Sequence, residues 1–170
     1  MEKQQNQFDE TFDVLVVGSG CGGLTAALTA DIASPSKVLV VEKSHLIGGT
    51  SATSGGVIWI PDNHLAKEKG ANDSISEAKE YLKATIPADE FNEPLIDAYL
   101  DHGPKMVKFM ENNTDARYTS LEHYPDYFQD APGVKLGNRA LEPLPVSAAT
   151  LQDDVDNLHP SGPQTIVFGR

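Results

Sequence analysis

The sequence predicts an α/β fold, in which a parallel strand–helix–strand unit is followed by helical insertions. Two short apolar runs, at residues 12–17 and 37–42, flank a helical repeat, and a glycine-rich turn joins the first run to that repeat. The chain has 170 residues and is 39% hydrophobic, which is enough for a buried core. We therefore expect a polar N-terminal tail at residues 1–11 and one domain at residues 12–170.

The strand–helix–strand unit is expected over residues 12–42. Its first strand is a continuous apolar run, which is typical of a parallel strand covered on both faces. Leu24, Ala27 and Leu28 then recur at helical spacing. A second buried strand ends at Glu42 and completes a unit of about 30 residues, the usual size of this motif.

Three further regions follow this unit. Residues 43–61 are rich in glycine and serine and predict a loop that binds a ligand. Residues 63–113 predict a helical segment, with a capping box at Ser74–Glu77 and with Gly103-Pro104 dividing the last helical pattern into two helices. Residues 114–170 lose the helical periodicity and predict a proline-rich loop region.

Charge and composition exclude several classes of partner. The 13 basic and 25 acidic residues give a formal net charge of −12, which disfavours binding to nucleic acid or to an anionic membrane surface. No run approaches the roughly 18 apolar residues of a membrane-spanning helix, and the polar start carries no signal-peptide pattern. The single cysteine, Cys21, is compatible with a reducing compartment, so we expect a cytoplasmic protein. No metal site is predicted, because the histidines lack metal-ligand spacing: His45, His64, His102, His123 and His159.

The glycine-rich turn carries the spacing G-x-G-x-x-G between the first strand and the first helix. Gly18 permits a tight turn, Gly20 permits a close approach of the backbone to a pyrophosphate, and Gly23 permits close packing of the helix on the strand. Glu42 follows about 20 residues later and can accept hydrogen bonds from both hydroxyls of a ribose. The alternative is a glycine-rich turn without a ligand, but the strand, the helix and Glu42 favour a dinucleotide site.

The next loop favours FAD over NAD as the dinucleotide. Gly48-Gly49-Thr50-Ser51 and Ser54-Gly55-Gly56 expose backbone and hydroxyl groups directly after the ribose-binding strand, where they can approach the same pyrophosphate. Ordinary turn hydrogen bonding is the alternative for their hydroxyls, and Cys21 is interpreted as a small residue at a crowded turn. The predicted FAD-binding residues are Gly18, Ser19, Gly20, Cys21, Gly22, Gly23, Glu42, Lys43, Gly48, Gly49, Thr50, Ser51, Ser54, Gly55 and Gly56.

The motifs at residues 13–20, 41–43 and 48–61 resemble the fumarate reductase and ketosteroid dehydrogenase superfamily of FAD-dependent oxidoreductases. Tyr124-Pro125-Asp126-Tyr127-Phe128, followed by Gly137-Asn138-Arg139, is similar to the 3-ketosteroid Δ1-dehydrogenase branch. The resemblance runs from about residue 12 to about residue 145. It implies a Rossmann-like FAD-binding fold with helical insertions.

The resemblance also implies a reaction. Members of that branch remove two hydrogens from the A ring of a 3-ketosteroid, with a tyrosinate base taking a proton and FAD taking a hydride. Tyr127 matches the residue that hydrogen-bonds the base, and Tyr124 matches a residue that lines the substrate pocket. The implied substrate is a small apolar ketone such as a 3-ketosteroid. From the residues alone, both tyrosines are interpreted as amphipathic packing residues in a proline-rich loop.

Members of this superfamily are longer than the present chain, and the parts expected to supply the base and the last FAD-binding segment have no counterpart here. We therefore expect an incomplete, N-terminal fragment of an FAD-binding domain that needs a C-terminal part for catalysis; Thr165–Arg170 could begin a further strand. A fumarate-type alkene reductase is a second hypothesis, although Arg117 and Arg139 alone do not form a convincing carboxylate-binding set. A non-catalytic nucleotide-binding module is the third.

Overall fold

The structure is a computed structural model that describes residues 9–160. Those residues fall into two compact units, the first comprising residues 9–54 with 151–160 and the second Gly55–Thr150. The single domain expected at residues 12–170 spans both units. Most of the predicted polar tail, residues 1–8, and the strand suggested at Thr165–Arg170 lie outside the described residues.

The first unit contains the predicted strand–helix–strand motif, which is confirmed. Strands β1 (Val14–Val17) and β2 (Val38–Val41) pair in parallel, with Val14 opposite Val38 and Val17 opposite Val41. The crossover helix contacts both strands. The elements of this unit are β1 (Val14–Val17), α1 (Cys21–Ala33), β2 (Val38–Val41), α2 (Gly49–Thr53) and a 3-10 helix at Gln152–Asn157.

The prediction that the first strand is covered on both faces is wrong for the described part of the chain. Leu15 is 60% exposed and Val17 is 79% exposed, whereas Val14 and Val16, which alternate with them along the strand, are partly buried. Helix α1 accounts for this alternation, because it packs on the face that carries Val16. Side chains of a strand point to opposite faces in turn, so one helix covers every second residue.

The second unit combines a small antiparallel sheet with three helices. Its sheet consists of β3 (Ile58–Trp59), β4 (Tyr118–Ser120) and β5 (Ala140–Pro143), in the order β3–β5–β4. Leu141 of the central strand lies opposite Ile58 on one side and opposite Ser120 on the other. The central apolar cluster consists of Ile60, Val107 and Leu141. The elements are β3 (Ile58–Trp59), α3 (His64–Glu68), α4 (Ile75–Thr85), α5 (Glu93–Asn113), β4 (Tyr118–Ser120), β5 (Ala140–Pro143) and a 3-10 helix at Ala148–Thr150.

Short elements therefore lie inside the two regions that were predicted as loops. Residues 43–61 contain α2 and β3, and residues 114–170 contain β4, β5 and the 3-10 helices. The predicted cap of α4 is confirmed, since the Ser74 hydroxyl accepts a hydrogen bond from the Glu77 backbone N–H. Among the residues described, no helix combines the length and apolar character needed to cross a membrane.

Helix α5 is continuous, so the predicted break at Gly103-Pro104 is wrong. A proline inside a helix costs about 3 kcal/mol, because it lacks an N–H and its ring meets the preceding turn. Leu100 and Val107 are fully buried on the face of the helix that carries Gly103, and burial of each such side chain contributes about 1.5–3 kcal/mol. Gly103 also packs against Ile60, which lies 3.4 Å from the position that a Cβ would occupy. Packing of this face outweighs the cost of Pro104.

Asn63 joins three segments of the second unit at a fully buried position. Its Oδ1 accepts a hydrogen bond from Ala66 N (2.8 Å), which caps helix α3. Its Nδ2 donates to the carbonyl oxygens of Ile60 (2.7 Å) and Asn138 (2.9 Å). An amide is the side chain that can accept at the helix and donate to two carbonyl groups at once.

We expect Asn63→Asp to lower the free energy of unfolding by about 2 kcal/mol or more, because a carboxylate oxygen would then face two carbonyl oxygens in a buried site. Urea denaturation measures this. The matched control is Asn92→Asp at the exposed cap of α5, where the side chain accepts a hydrogen bond from Leu95 N. Aspartate caps helices as well as asparagine does, so this control should stay within about 0.5 kcal/mol of the unsubstituted protein. Equal losses in the two variants would contradict the account of Asn63.

Candidate functional site

The turn between β1 and α1 has the geometry that its glycines predict. Gly18 has a φ of +98°, a conformation that side chains other than glycine rarely adopt. A Cβ on Gly23 would lie 2.1 Å from the Gly18 carbonyl oxygen, so any side chain there would push the helix away from the strand. Gly20 is the N-cap of α1 and offers no side-chain cap to the first turn. The start of this helix is therefore accessible to an anionic ligand.

Ser19 connects this turn to the end of β2 and to the loop that follows it. Its side chain is almost fully buried, at 2% exposure. Its Oγ donates to Glu42 Oε2 (2.7 Å) and accepts from Gly48 N (2.9 Å), and its backbone N–H donates to the same Glu42 oxygen (2.9 Å). One small residue thus fixes the predicted ribose-binding carboxylate and the second glycine-rich loop in a single arrangement.

The second loop contacts the glycine-rich turn directly. Ser51 Oγ accepts a hydrogen bond from the backbone N–H of Cys21 (3.0 Å), and Cys21 is the first residue of helix α1. A Cβ on Gly49 would lie 3.9 Å from Gly20 Cα, so the two backbones approach closely at this point. These contacts agree with the prediction that both loops approach the same group.

Several predicted FAD-binding residues are therefore brought together in the first unit. They are Gly18, Ser19, Gly20, Cys21, Gly22, Gly23, Glu42, Gly48, Gly49 and Ser51. Lys43, Thr50 and Ser54 are exposed residues of the same unit. Gly55 and Gly56 belong to the second unit. The Cys21 thiol is free and exposed.

Glu42 is held as a carboxylate. Hydrogen bonds from the Ser19 hydroxyl and backbone N–H, followed by one from Ser44 N, lower the pKa of Glu42 from its ordinary value of 4.5 to about 2. A carboxylate offers about four lone-pair positions, and the Ser19 and Ser44 groups occupy three of them. The Lys43 backbone N–H contributes a further hydrogen bond. The binding of ribose hydroxyls by Glu42 stays a prediction.

The second unit contains an open cavity of about 330 Å³. Tyr124 and Tyr127 lie on it and are 45% and 83% exposed. A hydrogen bond with the Tyr127 hydroxyl, reinforced by the charge of that neighbour and by desolvation, raises the pKa of Tyr124. The lining residues are Val57, Trp59, Tyr81, Leu82, Thr85, Tyr124, Pro125, Asp126, Tyr127, Phe128 and Ala140.

Sequence reasoning missed a buried charged cluster beside this cavity. Arg139 is 1% exposed and forms ion pairs with Asp73 (2.7 Å) and Asp126 (2.8 Å). Burial opposes ionisation of Asp73, but its hydrogen bonds, led by that from Arg139, outweigh this effect and keep its pKa below the ordinary value. Trp59 lines the cavity and donates through Nε1 to Asp126 (2.7 Å). The sequence signal that could have indicated this cluster was Asp126, an acidic residue between Tyr124 and Tyr127.

Comparisons with known proteins point to one group of flavoenzymes. The chain is 43% identical over 145 residues to 4-oxocyclohexanecarboxylate 2-dehydrogenase of Sinomonas cyclohexanicum, and 42% identical over 153 residues to 3-oxosteroid 1-dehydrogenase of Mycobacterium tuberculosis. The crystal structure of 3-ketosteroid Δ1-dehydrogenase from Sterolibacterium denitrificans, in complex with 1,4-androstadiene-3,17-dione, matches with a TM-score of 0.84 and 42% identity. The resemblance to ketosteroid dehydrogenases that the motifs predicted is confirmed.

The matches cover most of this chain but a minor part of the other proteins. The two sequence relatives align with 85% and 89% of the chain, and the crystal structure aligns with 94% of it. Conversely, the chain spans 25%, 27% and 28% of the lengths of those proteins. About a quarter of each relative is thus represented in the present sequence.

The low pKa of Glu42 predicts a pH-dependent contribution to stability. Because ionisation is favoured in the folded state, the contribution is complete above pH 4.5, the ordinary pKa, and is lost as the pH falls towards 2. We expect the difference in unfolding free energy between the unsubstituted protein and Glu42→Gln to shrink over that range. Urea titrations at pH values from about 6 down to about 3 measure it. Asp31→Asn, at an exposed position of α1, is the control and should follow the unsubstituted protein. A difference that stays constant down to the lowest pH would contradict this role of Glu42.

The site and the comparisons agree on the cofactor. The glycine-rich turn, the start of α1 and the ionised Glu42 fit the pyrophosphate and ribose of a dinucleotide. The family model described as FAD binding domain matches residues 13–152, most of the chain. FAD, as predicted from the second loop, is therefore the cofactor, and the chain belongs to the FAD binding domain family.

Proposed function

We propose that the protein is a cytoplasmic, FAD-dependent dehydrogenase that removes two hydrogens from the ketone-bearing ring of a 3-ketosteroid or a similar flat ketone. The observation that carries the proposal is the apolar, tyrosine-bearing cavity in a chain of the FAD binding domain family. Its volume, about 330 Å³, lies at the lower end of the range usual for small-molecule sites. The names of the relatives, which act on a 3-oxosteroid or a 4-oxocyclohexanecarboxylate, support a cyclic ketone as the substrate class.

The lining of the cavity favours a neutral ketone over a keto acid. Its described lining residues are apolar or aromatic apart from Thr85 and Asp126, and they include no lysine or arginine. The protein as a whole carries a formal charge of −12. A substrate carboxylate would lose its hydration there without gaining a cationic partner among those residues. A steroid presents apolar rings and therefore suits this surface better than 4-oxocyclohexanecarboxylate does.

The same argument weighs against a fumarate-type alkene reductase, which needs cations for the carboxylates of its substrate. Arg139 is buried and already paired with Asp73 and Asp126. Arg117 uses Nη1 to donate to the carbonyl oxygens of Thr114 (2.7 Å) and Ala116 (2.8 Å). Neither arginine is directed at the cavity, so the dehydrogenase remains the better proposal.

The residues of the first unit would hold the cofactor. The backbone N–H groups at the start of α1 suit the pyrophosphate, and Glu42 suits the ribose. Ser51 lies beside them, since its Oγ accepts from Cys21 N. FAD, when bound, supplies an acceptor for the hydride.

The two tyrosines of the cavity would share the handling of the proton. The hydrogen bond with Tyr127 raises the pKa of Tyr124, and the protonated Tyr124 hydroxyl can donate that hydrogen bond. Tyr127 is then free to donate its own proton to a neighbouring anionic base, because a hydroxyl can accept and donate at the same time. A tyrosine has an ordinary pKa of about 10 and needs such donors before its anion can act as a base near neutral pH. Tyr127 thus supports proton removal, whereas the Tyr124 ring lines the pocket.

Tyr127→Phe is expected to lower kcat for a 3-ketosteroid about tenfold or more, because it removes one hydrogen bond to a charged group. Steroid binding should hardly change, since the aromatic ring is retained. Steady-state kinetics of the natural protein with bound FAD, together with equilibrium steroid binding, measure both quantities.

Tyr124→Phe is the matched control for this change. It keeps the ring that lines the cavity and removes a hydroxyl one step further from the base, so its loss of kcat should be clearly smaller. The assignment would be wrong if Tyr124→Phe were crippled while Tyr127→Phe turned over 3-ketosteroid at the unsubstituted rate.

A further inference from the structure

Tyr127 combines an exposed side chain with a firmly held backbone. Its side chain is 83% exposed, yet the residue before it, Asp126, is buried at 5% exposure. The residue after it, Phe128, donates its backbone N–H to the hydroxyl of Tyr81 (3.1 Å), which is itself buried. Both neighbours of this tyrosine are therefore anchored to the interior of the second unit.

Asp126 is the stronger of the two anchors. Its Oδ1 accepts from Trp59 Nε1 (2.7 Å), and its Oδ2 accepts from Arg139 Nη1 (2.8 Å) and Lys135 N (2.9 Å). Its own backbone N–H donates to the Lys135 carbonyl oxygen (2.9 Å). Two of the donors to this carboxylate are the side chains of Trp59 and Arg139, which come from other segments of the chain, so its position is fixed from several directions.

Arg139 is held in turn by Asp73. The guanidinium Nε and Nη2 both donate to this carboxylate, at 3.1 Å to Oδ2 and 2.7 Å to Oδ1. Its central carbon lies 5.4 Å from the centroid of the Trp59 ring and 5.9 Å from that of Tyr81. Trp59 binds Asp126 and Tyr81 binds Phe128, and both aromatic rings thus also pack on Arg139.

The charges of this cluster argue against a direct electrostatic role at the cavity. One guanidinium stands beside two carboxylates, so the cluster of Arg139, Asp73 and Asp126 carries a net negative charge. A negative cluster would oppose, rather than stabilise, a tyrosinate nearby. Buried ion pairs also add little to stability, because the desolvation of the charges offsets their attraction. What the cluster does provide is a fixed geometry for the segment that carries Tyr127.

We infer that Asp126 and Arg139 are positioning residues, which together with Tyr81 clamp the backbone on both sides of Tyr127 and so fix the direction of its hydroxyl. The inference rests on the proposed function, in which Tyr127 supports proton removal. A misplacement of about 1 Å at a catalytic group can cost a hundredfold in rate, so the clamp acts on kcat rather than on substrate affinity.

Two variants loosen the clamp from opposite sides. Asp126→Asn keeps the shape of the side chain but places an amide N–H₂ among groups that donate hydrogen bonds. Tyr81→Phe keeps the ring and removes only the acceptor for Phe128 N, so it remains informative if Asp126→Asn fails to fold. We expect kcat to fall about tenfold in each, with KM within about twofold. The pH profile should stay unshifted in Tyr81→Phe, because that variant alters no charge next to the hydroxyl. Lys79→Met, which removes surface ion pairs with Glu93 and Asp97 in the same unit, is the control and should keep the unsubstituted kcat.

A second measurement does not depend on catalysis. Chymotrypsin cleaves after tyrosine, and native-state cleavage after Tyr127 reports how often the segment opens. We expect cleavage there to accelerate about tenfold in both clamp variants, beyond any change that their melting temperatures explain, and to stay unchanged in Lys79→Met. Unaltered cleavage after Tyr127, or unaltered kcat with accelerated cleavage, would overturn the inference. If the unsubstituted protein turned over no ketosteroid while cleavage rose as expected, the proposed function would be wrong and the clamp itself would stand.

Discussion

The proposed nucleotide site depends on one buried hydroxyl, that of Ser19. A single side chain donates to Glu42 and accepts from Gly48 N, so it ties the turn after β1, the end of β2 and the second glycine-rich loop to one another. Hydrogen bonds to a charged partner are about twice as strong as neutral ones, and a buried polar group left without its partner is costly. The Ser19 hydroxyl therefore fixes the predicted cofactor-binding residues relative to one another, and a glycine, which has no side chain, could not do so.

The parts of the fold that could be predicted are those specified by local spacing. Gly18 and Gly23 marked the turn because the backbone there tolerates no side chain, and Ser74 marked the start of α4 because it caps that helix. The break predicted at Gly103-Pro104 failed because the packing of α5 against Ile60 is a tertiary contact, which a local rule for proline does not include. The exposed face of β1 likewise depends on what covers the sheet, and periodicity does not report that.

The same distinction applies to the second unit and its cavity. A short contiguous motif was enough to single out Tyr124 and Tyr127, and both line the cavity. The cluster around Arg139 could not be found in this way, because Asp73 and Trp59 lie more than 60 residues from the residues they bind. In the sequence, nothing distinguishes Asp73 from an ordinary acidic residue or Trp59 from an ordinary packing residue. Only the fold brings them together with Arg139 and Asp126.

The central claim, that Ser19 organises an FAD site, is tested most directly by titrating FAD into the natural protein and into Ser19→Ala, with flavin fluorescence as the signal. The account predicts that this variant binds FAD about tenfold more weakly, the loss expected from one charge-assisted hydrogen bond. Ser44→Ala is the matched control, because Ser44 reaches Glu42 through its backbone N–H, and it should bind FAD within about twofold of the unsubstituted protein. Equal FAD affinity in the unsubstituted protein and in Ser19→Ala would contradict the account.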